Sequence, residues 1–127
     1  MSALVLDAGA LIAIDRNDRS MVARLAAAQR HGMELRTNAM VVSQVWRHPD
    51  GRQARLAQLL RAVDVRGVDP PAGRDAGVLL GSSKTSDPID ATVILMARNG
   101  DRILTSDPGD LAELAAVAGR SVTIISC

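Results

Sequence analysis

The 127-residue chain has no phenylalanine and no tyrosine, and a single tryptophan. Its core must be built from Ala, Val, Leu and Ile, in keeping with a hydrophobic share of 47%. One cysteine, the C-terminal Cys127, excludes an internal disulfide and a cysteine-based zinc site. A reducing compartment is the simplest setting for that usage. Lysine is almost missing: Lys84 is alone among 15 basic residues, and the rest are arginine. Arginine suits bidentate phosphate contacts, although an Arg-, Ala- and Gly-rich chain is also what a high-G+C genome tends to encode. Neither sign of charge dominates at a formal net charge of +1. Bulk electrostatics therefore neither demand nor exclude a nucleic-acid partner. There is no basic leader with a cleavage site, and no apolar run of membrane-spanning length. The expectation is a cytoplasmic protein with no membrane partner, folded as one domain over residues 1–127.

What the chain does have is a regular alternation of strand-like and helix-like segments. ALVL at 3–6 reads as a buried strand, followed by a helix to about residue 15. A second helix is expected over 18–31, with Met21, Val22, Leu25, Ala26 and Ala28 at helical spacing and Gly32 as its stop. A short strand at 33–36 precedes a helix capped by Asn38 and ended by Pro49. An amphipathic helix over 51–62 presents Leu56, Leu59 and Leu60, and residues 63–69 alternate as a strand would. Helices then fall at 70–80, 88–99 and 108–118, with strands at 102–105 and 121–125. Such alternation predicts an α/β protein with a mostly parallel sheet and right-handed crossovers.

Acids stand where strands hand over to helices. Asp7 closes the strand in ALVLDAGALIA, and Asp107 follows the strand RILT in DRILTSDPGDL. Asp90 opens an almost wholly apolar helix in TSDPIDATVILMA. Open α/β sheets bind ligands outside the carboxyl ends of their strands. Carboxylates gathered there repel one another unless a cation lies between them, and hard oxygen donors suit Mg²⁺ or Mn²⁺. Each acid also has an ordinary reading. Asp7 fits an Asx turn or N-cap, Asp87 an N-cap with Pro88 at N1 and Asp90 at N3, and Asp107 a cap with Pro108 at N1 and Asp110 at N3. Thr105 and Ser106 add hydroxyls for a water or a phosphate.

Four segments in order, VLDAGALIA, VVSQVWR, IDATVILMA and LTSDPGDL, give essentially the whole chain a resemblance to PIN domains, specifically to the toxin of a VapBC-type toxin–antitoxin pair. The resemblance implies a three-layer α/β/α sandwich around a mostly parallel sheet. It also implies an acid cluster that binds Mg²⁺, or Mn²⁺, and hydrolyses RNA phosphodiesters. Asp7, Asp90 and Asp107 match three acids of the usual quartet, and Asp110 matches or supplements the last. The second acid, usually Glu, falls on Gln44, which removes one negative charge and leaves an amide to orient a water. Ala8 stands where many relatives carry a hydroxyl. A homodimer and a cognate antitoxin are further implications.

Arg47, Arg52 and Arg55, on neighbouring helices, are the candidates for RNA phosphates, against the plainer reading of solvated helix faces. Trp46 is expected in the core rather than stacked on a base, His31 and His48 on the surface, and Met33, Met40 and Met96 as core or interface fillers. One rival reading is a PIN-like module that, with Gln44 in place of an acid, binds RNA or a protein without cleavage. Another is a phosphorylatable receiver, but Asp7 lacks an acidic neighbour and Lys84 lies in a mid-chain loop. A DxD-type phosphohydrolase fails because Gly9 stands two residues after Asp7.

Overall fold

The computed structural model describes residues 2–127. Five strands and seven helices alternate as β1 (Ala3–Leu6), α1 (Ala8–Asp15), α2 (Arg19–Arg30), β2 (Glu34–Asn38), α3 (Ala39–Val45), α4 (Ala54–Leu60), β3 (Asp64–Arg66), α5 (Pro70–Gly81), α6 (Pro88–Met96), β4 (Arg102–Thr105), α7 (Pro108–Ala118) and β5 (Thr123–Ser126). Short polar side chains start most of the helices by accepting from their free N–H groups. Asp18 accepts from Met21 N at 2.9 Å, Asp69 from Ala72 N at 2.9 Å and Asp87 from Ile89 N at 2.8 Å. Asn38 accepts from both Met40 N and Val41 N at 3.0 Å. At the far end of α7 the chain turns through Gly119, at φ 67°, a left-handed conformation that glycine adopts without steric cost.

The strand order is β3-β2-β1-β4-β5, and all four pairings are parallel. Parallel neighbours require crossovers, and these are right-handed. The chain runs from β1 outward to β2 and β3, then returns to the other side of β1 for β4 and β5. That reversal puts α1–α4 on one face and α5–α7 on the other. The packing agrees: α1 contacts α2, α3 and α4, while α5, α6 and α7 contact one another. The reversal also opens a crevice between the carboxyl ends of β1 and β4, the usual ligand position in such sheets.

The core is aliphatic throughout, with Leu6, Leu11, Leu35, Leu56, Ile94 and Ile103 among its fully buried side chains. Trp46 packs against it half-buried, as do Met33 and Met96, while Met40 is exposed. On α2, Met21 and Leu25 are buried and Val22 is exposed.

Several boundaries differ from the sequence reading. Strand β2 runs on to Asn38 because Thr37 and Asn38, both buried, find partners there: Thr37 Oγ1 donates to Leu6 O at 2.7 Å. Helix α4 starts at Ala54, three residues late. Gly51 takes φ 78°, and buried Gln53 instead ties down the preceding turn, accepting from Arg47 N at 2.8 Å and donating to Val45 O at 2.9 Å. Strand β3 shrinks to three residues at the sheet edge, and β5 lies two residues beyond the expected start.

At the opposite end of the strands from the crevice, Arg36 is buried with three acids. Its guanidinium lies 3.4 Å from Glu34, 3.8 Å from Asp64 and 3.5 Å from Asp101. Buried Asp101 also accepts from Ala3 N and Arg98 N, each at 2.8 Å. It thereby ties β1 to the turn that enters β4. Removing one partner of a buried pair strands the other charge. Asp101→Asn is therefore expected to cost about 3 kcal/mol in urea unfolding. A loss below about 1 kcal/mol, the size of an exposed pair, would mean that Glu34 and Asp64 alone satisfy Arg36.

Candidate metal centre

Strand β1 ends on Asp7, whose N–H donates to Leu104 O at 3.0 Å, so the ladder between β1 and β4 continues to the crevice. Asp7 then starts α1, its Oδ1 accepting from Ala8 N at 2.8 Å. Its Oδ2 accepts from the hydroxyl of Thr105 at 2.7 Å. The same hydroxyl oxygen accepts from Asp107 N at 2.9 Å. One buried threonine thus fixes the carboxylate at the end of β1 and the backbone of the loop that follows β4.

Asp107 occupies the cap position of α7, yet its carboxylate makes no capping bond. Asp110 follows in the first turn of α7, and Asp90 in the first turn of α6. Asp90, Asp107 and Asp110 each bring a carboxylate oxygen within 4.8 Å of the other two. Oxygens that bind one Mg²⁺ at about 2.0–2.1 Å stand at most about 4.2 Å apart across the ion, so small side-chain rotations would close this set on a cation. The donors are hard oxygens, the kind that Mg²⁺ and Mn²⁺ take.

The electrostatics point the same way. Asp90 is buried, at 6% exposure. Burial, then the carboxylates of Asp87, Asp7, Asp107 and Asp110, pushes its carboxyl from 3.8 up to about 7. Each of these neighbouring charges is negative. The exposed Asp110 carboxyl is also raised, chiefly by Asp107. A cation among these carboxylates would relieve their repulsion. Asp7 stands beside the trio rather than within it. Its charge acts on Asp90, but its two oxygens are held by Ala8 and Thr105.

The remaining sequence candidates lie outside that trio. Gln44 lies on the last turn of α3, and its carbonyl accepts from Arg47 Nη2 at 2.7 Å. Arg47 also donates to Ser43 O at 3.0 Å and Trp46 O at 2.8 Å, so its guanidinium is folded back over the C-terminal carbonyls of α3. Arg52 pairs with Asp50 at 2.8 Å on the surface, and Arg55 is exposed on α4. Thr105 corrects the expectation of a substrate contact. It is fully buried, and its hydroxyl positions the two acids. Ser106 is exposed in the same loop.

Two contributors carry little sequence signal. Asn38 reads as a cap, but its Nδ2 also donates to Thr92 Oγ1 at 3.1 Å and so braces α6, the helix that carries Asp90. Gly9 reads as a turn residue. A Cβ there would meet Ser106 Cβ and Oγ at 2.9 Å and Ser106 N at 3.1 Å, so its bareness lets α1 approach the loop of Thr105 and Asp107.

No protein-family model matches the chain, and no curated protein matches its sequence. Solved structures do match in fold. A chain in the structure of VapBC2 from Rickettsia felis bound to a DNA fragment from their promoter superposes with a TM-score of 0.72 at 11% identity, over 98% of both chains. One in the structure of FitAB bound to the IR36 DNA fragment gives 0.63 at 15% identity, over 97% of this chain and 94% of that one. The chain therefore has the PIN-like α/β/α fold that its sequence motifs suggest.

Two outcomes test this geometry. Alanine exceeds glycine in helix propensity by about 1 kcal/mol, so a net loss in Gly9→Ala isolates the clash. The expected loss is about 1–3 kcal/mol in thermal unfolding, partly restored by adding Ser106→Gly. No restoration would place the strain elsewhere. The second concerns Asp90. A carboxyl raised on folding keeps its proton longer in the native state, so its burial costs nothing below about pH 4. That cost grows as pH rises through the interval from 3.8 to about 7, and is complete above it. In metal-free buffer Asp90→Asn should gain on the native protein between pH 5 and pH 8, by about 1–2 kcal/mol after screening. A pH-independent difference would show that the carboxyl is not held neutral.

Proposed function

We propose that the chain is a divalent-metal-dependent endoribonuclease, acting in the cytoplasm as the toxin of a type II toxin–antitoxin pair. The observation that carries the reading is the convergence of Asp90, Asp107 and Asp110 at the crevice, with Asp90 raised to about 7 by burial first and then by its acidic neighbours. The fold shared with VapBC2 gives that cluster its context. A cognate antitoxin and a homodimer belong to this reading, as does single-stranded or structured RNA as the substrate.

Bound at the carboxylates, Mg²⁺ or Mn²⁺ would supply the positive charge that makes a water nucleophilic and stabilises the leaving 3′ oxygen. Asp90, Asp107 and Asp110 hold that charge. Asp90 gives up its proton as the site fills, so metal affinity rises with pH. Asp7, immobilised by Ala8 and Thr105, faces the same crevice with its charge already oriented. Gln44 is proposed to orient a water through its amide. Arg52 and Arg55 are left for the RNA backbone, with Arg47 only if it leaves the carbonyls of α3. Ser106 can meet a phosphate from its exposed position in the β4–α7 loop.

The test couples stability to activity. At a metal concentration about 100 times Kd, Mn²⁺ should stabilise the native protein by about 2.7 kcal/mol, and Asp90→Asn and Asp107→Asn should lose most of that gain. The native protein should cut RNA with Mg²⁺ or Mn²⁺ and stop with EDTA, and either substitution should abolish cutting while the fold persists. RNA binding without cleavage, and without a metal-dependent gain in stability, would replace the nuclease by a binding module.

A further inference from the structure

Parallel sheets are normally covered on both faces. Here β5 packs closely against β4 and, on one face, against α7. The face shared with α1–α4 is left open at β5. A trough of about 470 Å³ runs there, on the face of the sheet away from α6 and α7. Leu4, Leu104 and Ile125 form its floor, and Ala27 and Ala28 of α2 form one wall. Arg24, Arg102 and His31 stand on its rim, and no carboxylate lines it. Among the described residues neither Arg24 nor Arg102 makes an ion pair, whereas Arg36, Arg52 and Arg66 all do. His31 holds its Nδ1 against Ala27 O at 2.8 Å, which turns Nε2 outward.

We infer that this trough docks an amphipathic acidic helix of a protein partner. The floor calls for aliphatic side chains, because only apolar atoms gain by covering Leu104 and Ile125. The rim calls for carboxylates on both flanks of that apolar stripe, where they can meet Arg24 on one side and Arg102 on the other. A helix laid beside α2 supplies the layer that β5 lacks and presents both features from one face. RNA would satisfy the arginines but leave the aliphatic floor wet, so a polypeptide fits the lining better. The inference rests on the opposite face of the sheet from Asp90 and does not depend on the nuclease reading.

A phage-displayed library of amphipathic helices, with an aliphatic stripe fixed and the flanking positions random, would test it on the whole chain. The selected peptides should be acidic, and in the ¹⁵N-labelled protein they should shift Arg24, Ala28, Arg102 and Ile125. Arg24→Glu/Arg102→Glu alters two exposed side chains outside any ion pair, so it should fold as the native protein does. It should bind the selected peptides about tenfold more weakly. The inference is overturned if no peptide is enriched, if those enriched lack an acidic bias, or if the shifts map elsewhere. It is also overturned if a single-stranded RNA oligonucleotide displaces the peptide and shifts the same residues.

Discussion

The hydroxyl of Thr105 is the small contact on which the acidic crevice turns. It donates to Asp7 at the end of β1 and accepts from the N–H of Asp107 beyond β4. Those strands are neighbours in space but lie nearly a hundred residues apart along the chain. They meet only because the sheet reverses its winding direction between them. Without a bridge of this kind, like charges brought to one edge would push the two strand ends apart. A buried hydroxyl can serve both sides because it donates once and still accepts. Its neutrality matters as much as its geometry, since a cation there would discharge the site.

The arrangement costs stability and is held by what surrounds it. The raised carboxyl of Asp90 records the cost, which comes first from burial and then from its acidic neighbours. Part is offset where the acids stand, because Asp90 and Asp110 sit in the first turns of α6 and α7, where the helix dipole favours negative charge. The rest falls on packing. Ala91, Val93 and Ile94 anchor α6 in the core, and Asn38 and Thr92 brace it from the side. At the other end of the strands, Arg36 and Asp101 form a neutralised buried cluster. One end of the sheet is thus compensated internally, and the other gathers carboxylates whose mutual repulsion raises Asp110 and adds to the effect of burial on Asp90.

Much of the fold was legible because strong local signals agreed with it. Apolar runs marked the strands, and Asp18, Asn38, Asp69 and Asp87 started helices where caps were expected or fit well. The acids of the crevice were legible too, because strand-to-helix handovers are short and leave side chains at the sheet edge. What was hidden depended on distant pairing. Nothing near Thr105 says that its hydroxyl faces inward to Asp7 rather than outward to a phosphate. Gln53 read as part of a helix, yet it is buried and satisfies a turn six residues back. Asp101 carried no signal of its own in the sequence, and only the register of β1 against β4 brings it to Arg36 and Ala3.

Gln44 bears on how the charge is distributed. By resemblance, the position on α3 would carry an acid, and an amide there takes one negative charge from the crevice. The trio that converges does not draw on α3: Asp90 comes from α6, and Asp107 and Asp110 come from α7 and its cap. Three carboxylates remain within reach of one ion without any contribution from α3, and a fourth, Asp7, adds its field from the end of β1. Asp110 stands one turn along a helix that begins with Pro108, directly after Asp107. Two of the three carboxylates then move with one rigid element, so the closeness of the trio depends mainly on how α6 and α7 pack, and those helices lie in direct contact.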